Sequence, residues 1–317
     1  MDVTIVVCTH NNSESLRRTL DALSGLHLPE RLGCELLVVD NASTDSTPAA
    51  VKDCAPPRAE VRYLYEPRRG LSHARNTATA AARGRFLLWT DDDARPPRDW
   101  VEGMCAPLLS GSAHAVAGGV KIPTALERPW MSGIHRAWLA STEHLDARSP
   151  GRMIGANMAF SKEILSKVPA FDTELGAGAL GFHDETLFSY QLTRAGYSLV
   201  SAFDVAIEHH FDASRLRREH FLNSAEKMGR SDAYWAHHWE HETIEEPERL
   251  LESAVCRLAG WRLRHGEEWA GPEGAAEREL ELVHEVYLYE QYLIERRRPR
   301  NYEKFGLVKR PVPGVSA

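Results

Sequence analysis

Four short apolar runs near the start of the chain, Thr4 to Thr9 (TIVVCT), Cys34 to Val39 (CELLVV), Val61 to Tyr65 and Arg85 to Thr90 (RFLLWT), alternate with stretches of helical character. Leu16, Leu20 and Leu23 recur at helical spacing after the first run, Pro48 falls in the first turn of a helix after the second, and Ser72 to Ala82 is alanine-rich. Strand and helix alternating in this way predict an α/β fold, a mixed but largely parallel sheet with helices on both faces. Ligands bind such sheets outside the carboxyl ends of the strands. Polar residues gather there, at Thr9 to Asn12, Asp40 to Asp45 and Asp91 to Asp93.

Beyond Pro96-Pro97 the pattern is less regular. Ala113 to Ile122 reads as a strand containing Gly118-Gly119, Pro129 to Leu145 as an aromatic-bearing helical or loop insertion, and Ile154 to Phe160 as a further strand. From Leu216 onward the strands stop and three helical stretches follow, about Leu216 to His238, Pro247 to His265 and Glu273 to Arg298, with a loop-like tail from Pro299. The expected division is an α/β domain over 1–215 and a helical C-terminal subdomain with its tail over 216–317.

With 43% hydrophobic and 26% charged residues, 317 in all, there is material for a substantial core. The 38 Lys and Arg against 45 Asp and Glu leave a formal −7, which argues against a nucleic-acid partner. No apolar run approaches the roughly 18 residues of a bilayer span, and the N-terminus has neither the basic start nor the apolar length of a signal peptide, so a cytoplasmic protein is expected. The five cysteines are scattered and never form a CxxC pair, so they read as core thiols rather than disulfides or zinc ligands.

The most informative segment is the apolar run that enters Asp91-Asp92-Asp93. Carboxylates this close repel unless a cation neutralises them. Side chains alternate along an extended chain, so Asp91 and Asp93 share a side while Asp92 turns away. Oxygen donors favour Mg²⁺ or Mn²⁺; a solvated acidic turn is the competing reading. Asp40 closes its strand as a ribose-binding Asp does, yet Thr9-His10-Asn11-Asn12 offers no glycine-rich phosphate turn, which disfavours NAD. A metal at the Asp cluster, with Arg75, can neutralise a diphosphate instead. His183-Asp184-Glu185, after the glycine-rich stretch from Gly176 to Gly181 and before a helix, supplies two carboxylates for general-base work. His209 and His210 end an alternating stretch from Ser201 to Glu208. One of the two can face the cleft; His209 is preferred as a metal ligand, with a core position the competing reading.

Six segments in order, TIVVCTHNN, LLVVDNASTDST, RRGLSHARNTA, RFLLWTDDDARPP, GANMAF and HDETLFSYQLTRAGY, resemble a family 2 glycosyltransferase with the GT-A fold over about residues 1–210. The resemblance implies inverting transfer from a nucleoside-diphosphate sugar, with a UDP-sugar favoured, to an acceptor that the sequence leaves open. It implies that Thr9, Asn11 and Asp40 face the nucleoside, that Arg75 lies near the base or diphosphate, and that Asp91 and Asp92 belong to the donor site. Asp93 becomes the principal ligand of a D-x-D metal site for Mn²⁺ or Mg²⁺, with Asp91 and His209 beside it, and Asn157 in the Gly155-Ala156-Asn157 turn falls beside the donor sugar. Glu185 matches the family's catalytic Asp and Asp184 its preceding Glu, a swapped pair in which either is the base and Glu185 is preferred.

Two rivals differ in class. A sugar nucleotidyltransferase would carry a glycine- and lysine-bearing loop after the first strand, which THNNSES does not supply. A non-catalytic relative that only binds nucleotide sugar would have no need of the carboxylate pair. In the C-terminal helices, Tyr287, Tyr289, Tyr292 and Arg296-Arg297-Arg298 read first as a packed helix with a basic end that suits the helix dipole. An acceptor, an anionic membrane face or a second copy in a homo-oligomer are the alternative uses of that surface. His237, His238 and His241 read as part of an aromatic helix face.

Overall fold

A computed structural model describes residues 1–54, 56, 58–148, 151–266 and 271–310. Strands β1 (Val3–Thr9), β2 (Cys34–Asp40) and β4 (Phe86–Asp91) are buried almost throughout, as strands covered on both faces must be. With β3 (Ala59–Tyr65) they form a parallel block in which Thr9 pairs with Asp40 and Cys8 with Asp91, bringing the polar strand ends level. The eight strands run in the order β3-β2-β1-β4-β7-β6-β8-β5. β7 (Asn157–Ser161) is antiparallel to β4 and to β6 (Ala115–Lys121), β6 is parallel to β8 (Leu199–His209), and the two-residue β5 (Ala94–Arg95) closes the edge antiparallel to β8.

α1 (Ser13–Ser24) buries Leu16, Leu20 and Leu23, the three leucines of its apolar stripe, on one face of the sheet. α2 (Thr47–Lys52) and α4 (Trp100–Leu109) join it there, through Ala50, Val51, Trp100 and Met104. α3 (Leu71–Ala81) and α6 (Asp184–Arg194) cover the other face with Ala74, Ala78, Phe188 and Leu192. The connections therefore change face between β1 and β4, and a crevice opens where they diverge. The sequence reading did not anticipate β5 or α4, since two residues carry no periodicity and Pro107 lies inside the helix.

α5 (Gly133–Trp138) lies in the insertion, and α7 (Arg218–Trp235), α8 (Pro247–His265) and α9 (Glu277–Glu295) form the C-terminal bundle. Phe221, Leu280 and Val283 share a core with Met131, Trp138 and Phe211, so the bundle is fused to the insertion rather than hung from a linker. Gly229 lets α7 and α9 touch: a Cβ there would strike the backbone at His284 and Leu288. The segment after Pro299 is irregular but anchored, because Tyr302 Oη (2.7 Å) and Lys309 Nζ (2.5 Å) both donate to the buried Asp172 carboxylate. Arg296 and Arg298 pair with Glu248 and with Glu174 and Glu295, so much of the basic run is neutralised within the chain. The residues after 310 lie outside the described residues. All five cysteines are free thiols, and no helix among the described residues is long and apolar enough to cross a membrane.

Candidate active site

The pairing of Ala94 with His209 sets the end of β8 beside the turn that follows β4. This brings one of the two histidines, His209, to the Asp cluster. His209 is buried, its Nδ1 lies 2.8 Å from the Leu139 carbonyl and its Nε2 3.2 Å from Asp93 Oδ1. A carbonyl only accepts, so Nδ1 carries the proton and the lone pair of a neutral ring is on Nε2. His210 instead places its ring on Glu208, 2.8 Å away.

Asp91, Asp93 and His209 present ligand atoms that all lie within 4.8 Å of one another. Asp93 Oδ1 is buried and has no hydrogen-bond partner. Two carboxylates and one imidazole nitrogen, with an acceptor atom left over, fit a divalent cation of the Mn²⁺ or Mg²⁺ type. Burial, then the charge of Asp93, raises the Asp91 carboxyl. Burial works the same way on Asp93, but His209 and then Arg215 outweigh it and hold that carboxyl down to about 2. Asp92 turns to the opposite side, as strand alternation predicts, and accepts from Thr9 Oγ1 (2.5 Å) and Asn12 Nδ2 (2.8 Å). Burial, then Asp93, pushes it up to about 7.

Three cavities meet at this turn. One of 640 Å³ reaches Asn11, Asn12, Asp92, Asp93 and Arg215. A second, of 380 Å³, lies between Thr9, His10, Asn41, Arg69 and Gly70. The third, of 340 Å³, is lined by Asp91, Arg75, Asp184, Glu185 and Arg215 among others. Asn11 lies at the mouth of the first, in the left-handed region at φ 50°, its Oδ1 accepting from Thr44 N at 2.7 Å. Asp40 sits at the strand end as expected but is fully buried, with Oδ1 taken by Ser43 N (2.8 Å) and Oδ2 by Tyr63 Oη (2.7 Å).

Asp184 and Glu185 are the first residues of α6, after His183 in the left-handed region at φ 73°. His183 is fixed by Asp232 of α7, 2.5 Å from its Nε2, and Asp232 also receives His284 of α9 at 2.6 Å. Arg75 is buried and ion-paired to Asp184, with Glu185 3.6 Å away. Its guanidinium is thus committed to the carboxylate pair. Burial pushes Asp184 up to about 7, with Arg75 opposing and the negative Glu185 reinforcing it. Burial raises Glu185 too, but the hydrogen bond from Asp184 and the charge of Arg75 outweigh it and leave that carboxyl below its ordinary range. Of the two, Asp184 is the more readily protonated and Glu185 the more readily ionised.

Asn157 lies in the sheet rather than in the cleft. Fully buried, it donates to Gly119 O (2.8 Å) and Val205 O (2.9 Å) and accepts from Trp100 Nε1 (2.8 Å), which uses the whole amide to join β6, β8 and α4. It is Gly155 and Ala156, with Arg152 and Ile154, that line the 340 Å³ cavity. This departs from the expectation of a donor contact, because the strand pleat turns the Asn157 side chain toward the α4 face.

Sequence reasoning missed Arg215. It lies 4.0 Å from Asp93 Oδ2 and 3.4 Å from His209 Nε2, its Nε is buried without a partner, and it borders both the 640 Å³ and the 340 Å³ cavities. It follows β8 in a short 3₁₀ turn (Ala213–Leu216) with no motif around it, and only the fold carries it to the Asp cluster. His237, His238 and His241 engage Arg298 O (3.1 Å), Glu295 (2.9 Å) and Tyr302 O (3.0 Å), consistent with the helix-face reading.

Residues 4–168 match the family model described as "Glycosyl transferase family 2". The chain belongs to this family. Relatives of this family 2 member include the succinoglycan biosynthesis protein ExoM of Rhizobium meliloti, 32% identical over 122 residues (38% of this chain, 39% of ExoM). Another is the glycosyltransferase AglE of Haloferax volcanii, 25% identical over 209 residues (64% of this chain, 65% of AglE). The matches therefore span less than two thirds of either relative. Among solved structures, the mannosyltransferase PcManGT of Pyrobaculum calidifontis, in complex with GDP-Man and Mn²⁺, superposes with a TM-score of 0.62 at 21% identity, covering 92% of this chain and 86% of that one. TarS 1-349 of S. aureus in complex with UDP-GlcNAc gives 0.51 at 17% identity, covering 86% and 76%. These likenesses establish the GT-A fold for this family 2 chain.

Proposed function

We propose that the chain is a metal-dependent inverting glycosyltransferase that moves a sugar from a nucleoside-diphosphate sugar to an acceptor hydroxyl by single displacement. One observation carries the reading: Asp91 of the metal-ligand cluster and Glu185 of the carboxylate pair open onto the same 340 Å³ cavity. Asp91, Asp93 and His209 would hold a divalent cation, which would supply Lewis-acid neutralisation of the departing diphosphate. Glu185 takes the proton of the acceptor hydroxyl, whose oxygen forms the new bond to the anomeric carbon while the bond to the diphosphate breaks on the opposite side.

Arg75 holds Asp184, and its charge also favours the ionised form of Glu185. Arg215, with an unpartnered Nε beside the metal cluster, is placed to clamp the diphosphate. The nucleoside takes the 380 Å³ cavity beside Thr9 and His10, next to Gly70, where backbone without a side chain permits close approach. Asp40 acts there through the turn it braces at Ser43. The reading is supported by the family and by the presence of a nucleotide sugar in both structural neighbours, GDP-Man in one and UDP-GlcNAc in the other.

The test is a panel of UDP-, GDP- and TDP-sugars with Mn²⁺ or Mg²⁺, read by thermal shift and by donor hydrolysis. Metal-dependent binding and hydrolysis of at least one sugar nucleotide is expected in the native chain, with hydrolysis abolished in Asp93→Ala. Absence of any metal-dependent nucleotide binding across the panel sinks the proposal.

A further inference from the structure

An apolar groove of 370 Å³ runs between α5, α7 and α9, floored by Ile134, Trp138, Met228 and Leu280. It adjoins the catalytic cavity, because Trp138 and Met228 line both. It is also rigidly placed relative to the base. His284, on the groove wall, binds Asp232, and the other oxygen of Asp232 binds His183, which immediately precedes Asp184 and Glu185. The C-terminal bundle therefore does more than cap the sheet. It forms a groove that shares Trp138 and Met228 with the cavity holding the reacting groups.

We propose that this groove is an acceptor subsite that takes an uncharged apolar aglycone, the hydroxyl of which reaches past Trp138 and Met228 to Glu185. The inference rests on the transferase reading above and specifies its acceptor class. Size and charge select the occupant. An apolar cavity of about 150 Å³ accommodates a benzene ring, so a groove of 370 Å³ holds a group of one or two rings. Its polar border is Glu281, His284 and Glu285, with no lysine or arginine in the lining. Both carboxylates are paired, Glu281 with Arg278 at 2.7 Å and Glu285 with Arg257, so the border offers a phosphate no cation that is not already engaged, and a neutral ring system fits. Trp138 supplies an aromatic face at the junction, where an apolar group gains most from leaving water.

The probes are 1-naphthol, a neutral two-ring hydroxyl compound, and 1-naphthyl phosphate, its charged counterpart, titrated calorimetrically into the full chain. The native chain is expected to bind 1-naphthol at least tenfold more tightly than the phosphate. Ile134→Asp, which adds a charge to the groove without touching the catalytic cavity, is expected to weaken 1-naphthol at least tenfold. Ile134→Trp, which fills the groove with apolar bulk, does the same should the aspartate variant fail to fold. Undetectable binding of 1-naphthol to the native chain, equal or tighter binding of the phosphate, or unchanged binding in a folded Ile134 variant each overturns the subsite. Metal-dependent donor hydrolysis by the same proteins keeps the two readings apart. Its persistence in the native chain without naphthol binding rejects the subsite and leaves the transferase standing, whereas its absence rejects the transferase.

Discussion

His209 Nε2 faces Asp93 Oδ1 across 3.2 Å while its Nδ1 is tied to the Leu139 carbonyl, so the ring is held with one nitrogen turned to the acidic corner. Arg215 stands nearby as the resident cation, with its guanidinium 3.4 Å from the same Nε2. A divalent ion held by Asp91, Asp93 and His209 would leave the arginine to the diphosphate under the proposed function. Native protein is accordingly expected to gain about 2.7 kcal/mol of stability at a Mn²⁺ concentration one hundred times its Kd. Asp93→Ala and His209→Ala should lose that gain, and chelation should return the native chain to its metal-free melting temperature.

Arg215→Ala removes a charge-assisted contact rather than a metal ligand. Donor KM should rise about tenfold to a hundredfold, with the Mn²⁺-induced melting shift retained. Steady-state kinetics with the donor found in the panel check this, and an unchanged KM excludes the clamp.

The two carboxylates of α6 differ in environment and should differ in phenotype. Glu185→Gln is expected to leave donor binding intact and to lower transfer by about 10²- to 10⁴-fold. Asp184→Asn strips the buried Arg75 of its nearest counter-ion and should cost about 3 kcal/mol of folding stability in urea unfolding. If Glu185→Gln transfers at the native rate and a folded Asp184→Asn does not, the base is Asp184.

Asn157→Ala leaves Trp100 Nε1 and the carbonyls of Gly119 and Val205 unpaired in the core. A stability loss on the order of 3 kcal/mol is expected, with donor KM unchanged in whatever fraction folds. A large KM effect without a stability loss would return Asn157 to the donor site.

Glu66 is buried and accepts from Arg68 Nε at 2.8 Å, which orders the turn leading to Arg69 and Gly70 of the 380 Å³ cavity. The Arg68 hydrogen bond, opposed by burial and joined by Thr77, lowers its carboxyl to about 2. A carboxyl depressed in the folded state stabilises above its unfolded pKa of about 4.3 and loses that contribution as pH falls toward about 2. Urea unfolding at pH 6 and pH 3 should therefore show a smaller acid-side loss for Glu66→Gln than for the native chain.

The parallel block was legible because β1, β2 and β4 are local, apolar and buried on both faces, and the polar residues that end them announce a ligand edge. The acidic turn was legible for the same reason, since strand alternation alone separates Asp91 and Asp93 from Asp92. Helix α8 agrees with its periodicity to the residue, whereas α9 is shorter at both ends, Glu277–Glu295 rather than about Glu273 to Arg298. α4 escaped notice because its signals, a proline and an all-apolar face, are weak locally and are settled by packing against β4, β6 and β7.

What the tertiary structure decided are the pairings between distant segments. The placement of His209 depends on Leu139 in the insertion and on the two-residue β5; the inward turn of Asn157 depends on Trp100; Arg215 reaches the acidic corner only because the end of β8 pairs with β5. The swapped Asp184-Glu185 order is written in the chain, yet the arginine that pairs with Asp184 lies 109 positions earlier. Periodicity records which side of a strand or helix is apolar, because burial acts residue by residue. It does not record which remote group each polar side chain meets, because hydrogen-bond partners are set by how the elements assemble.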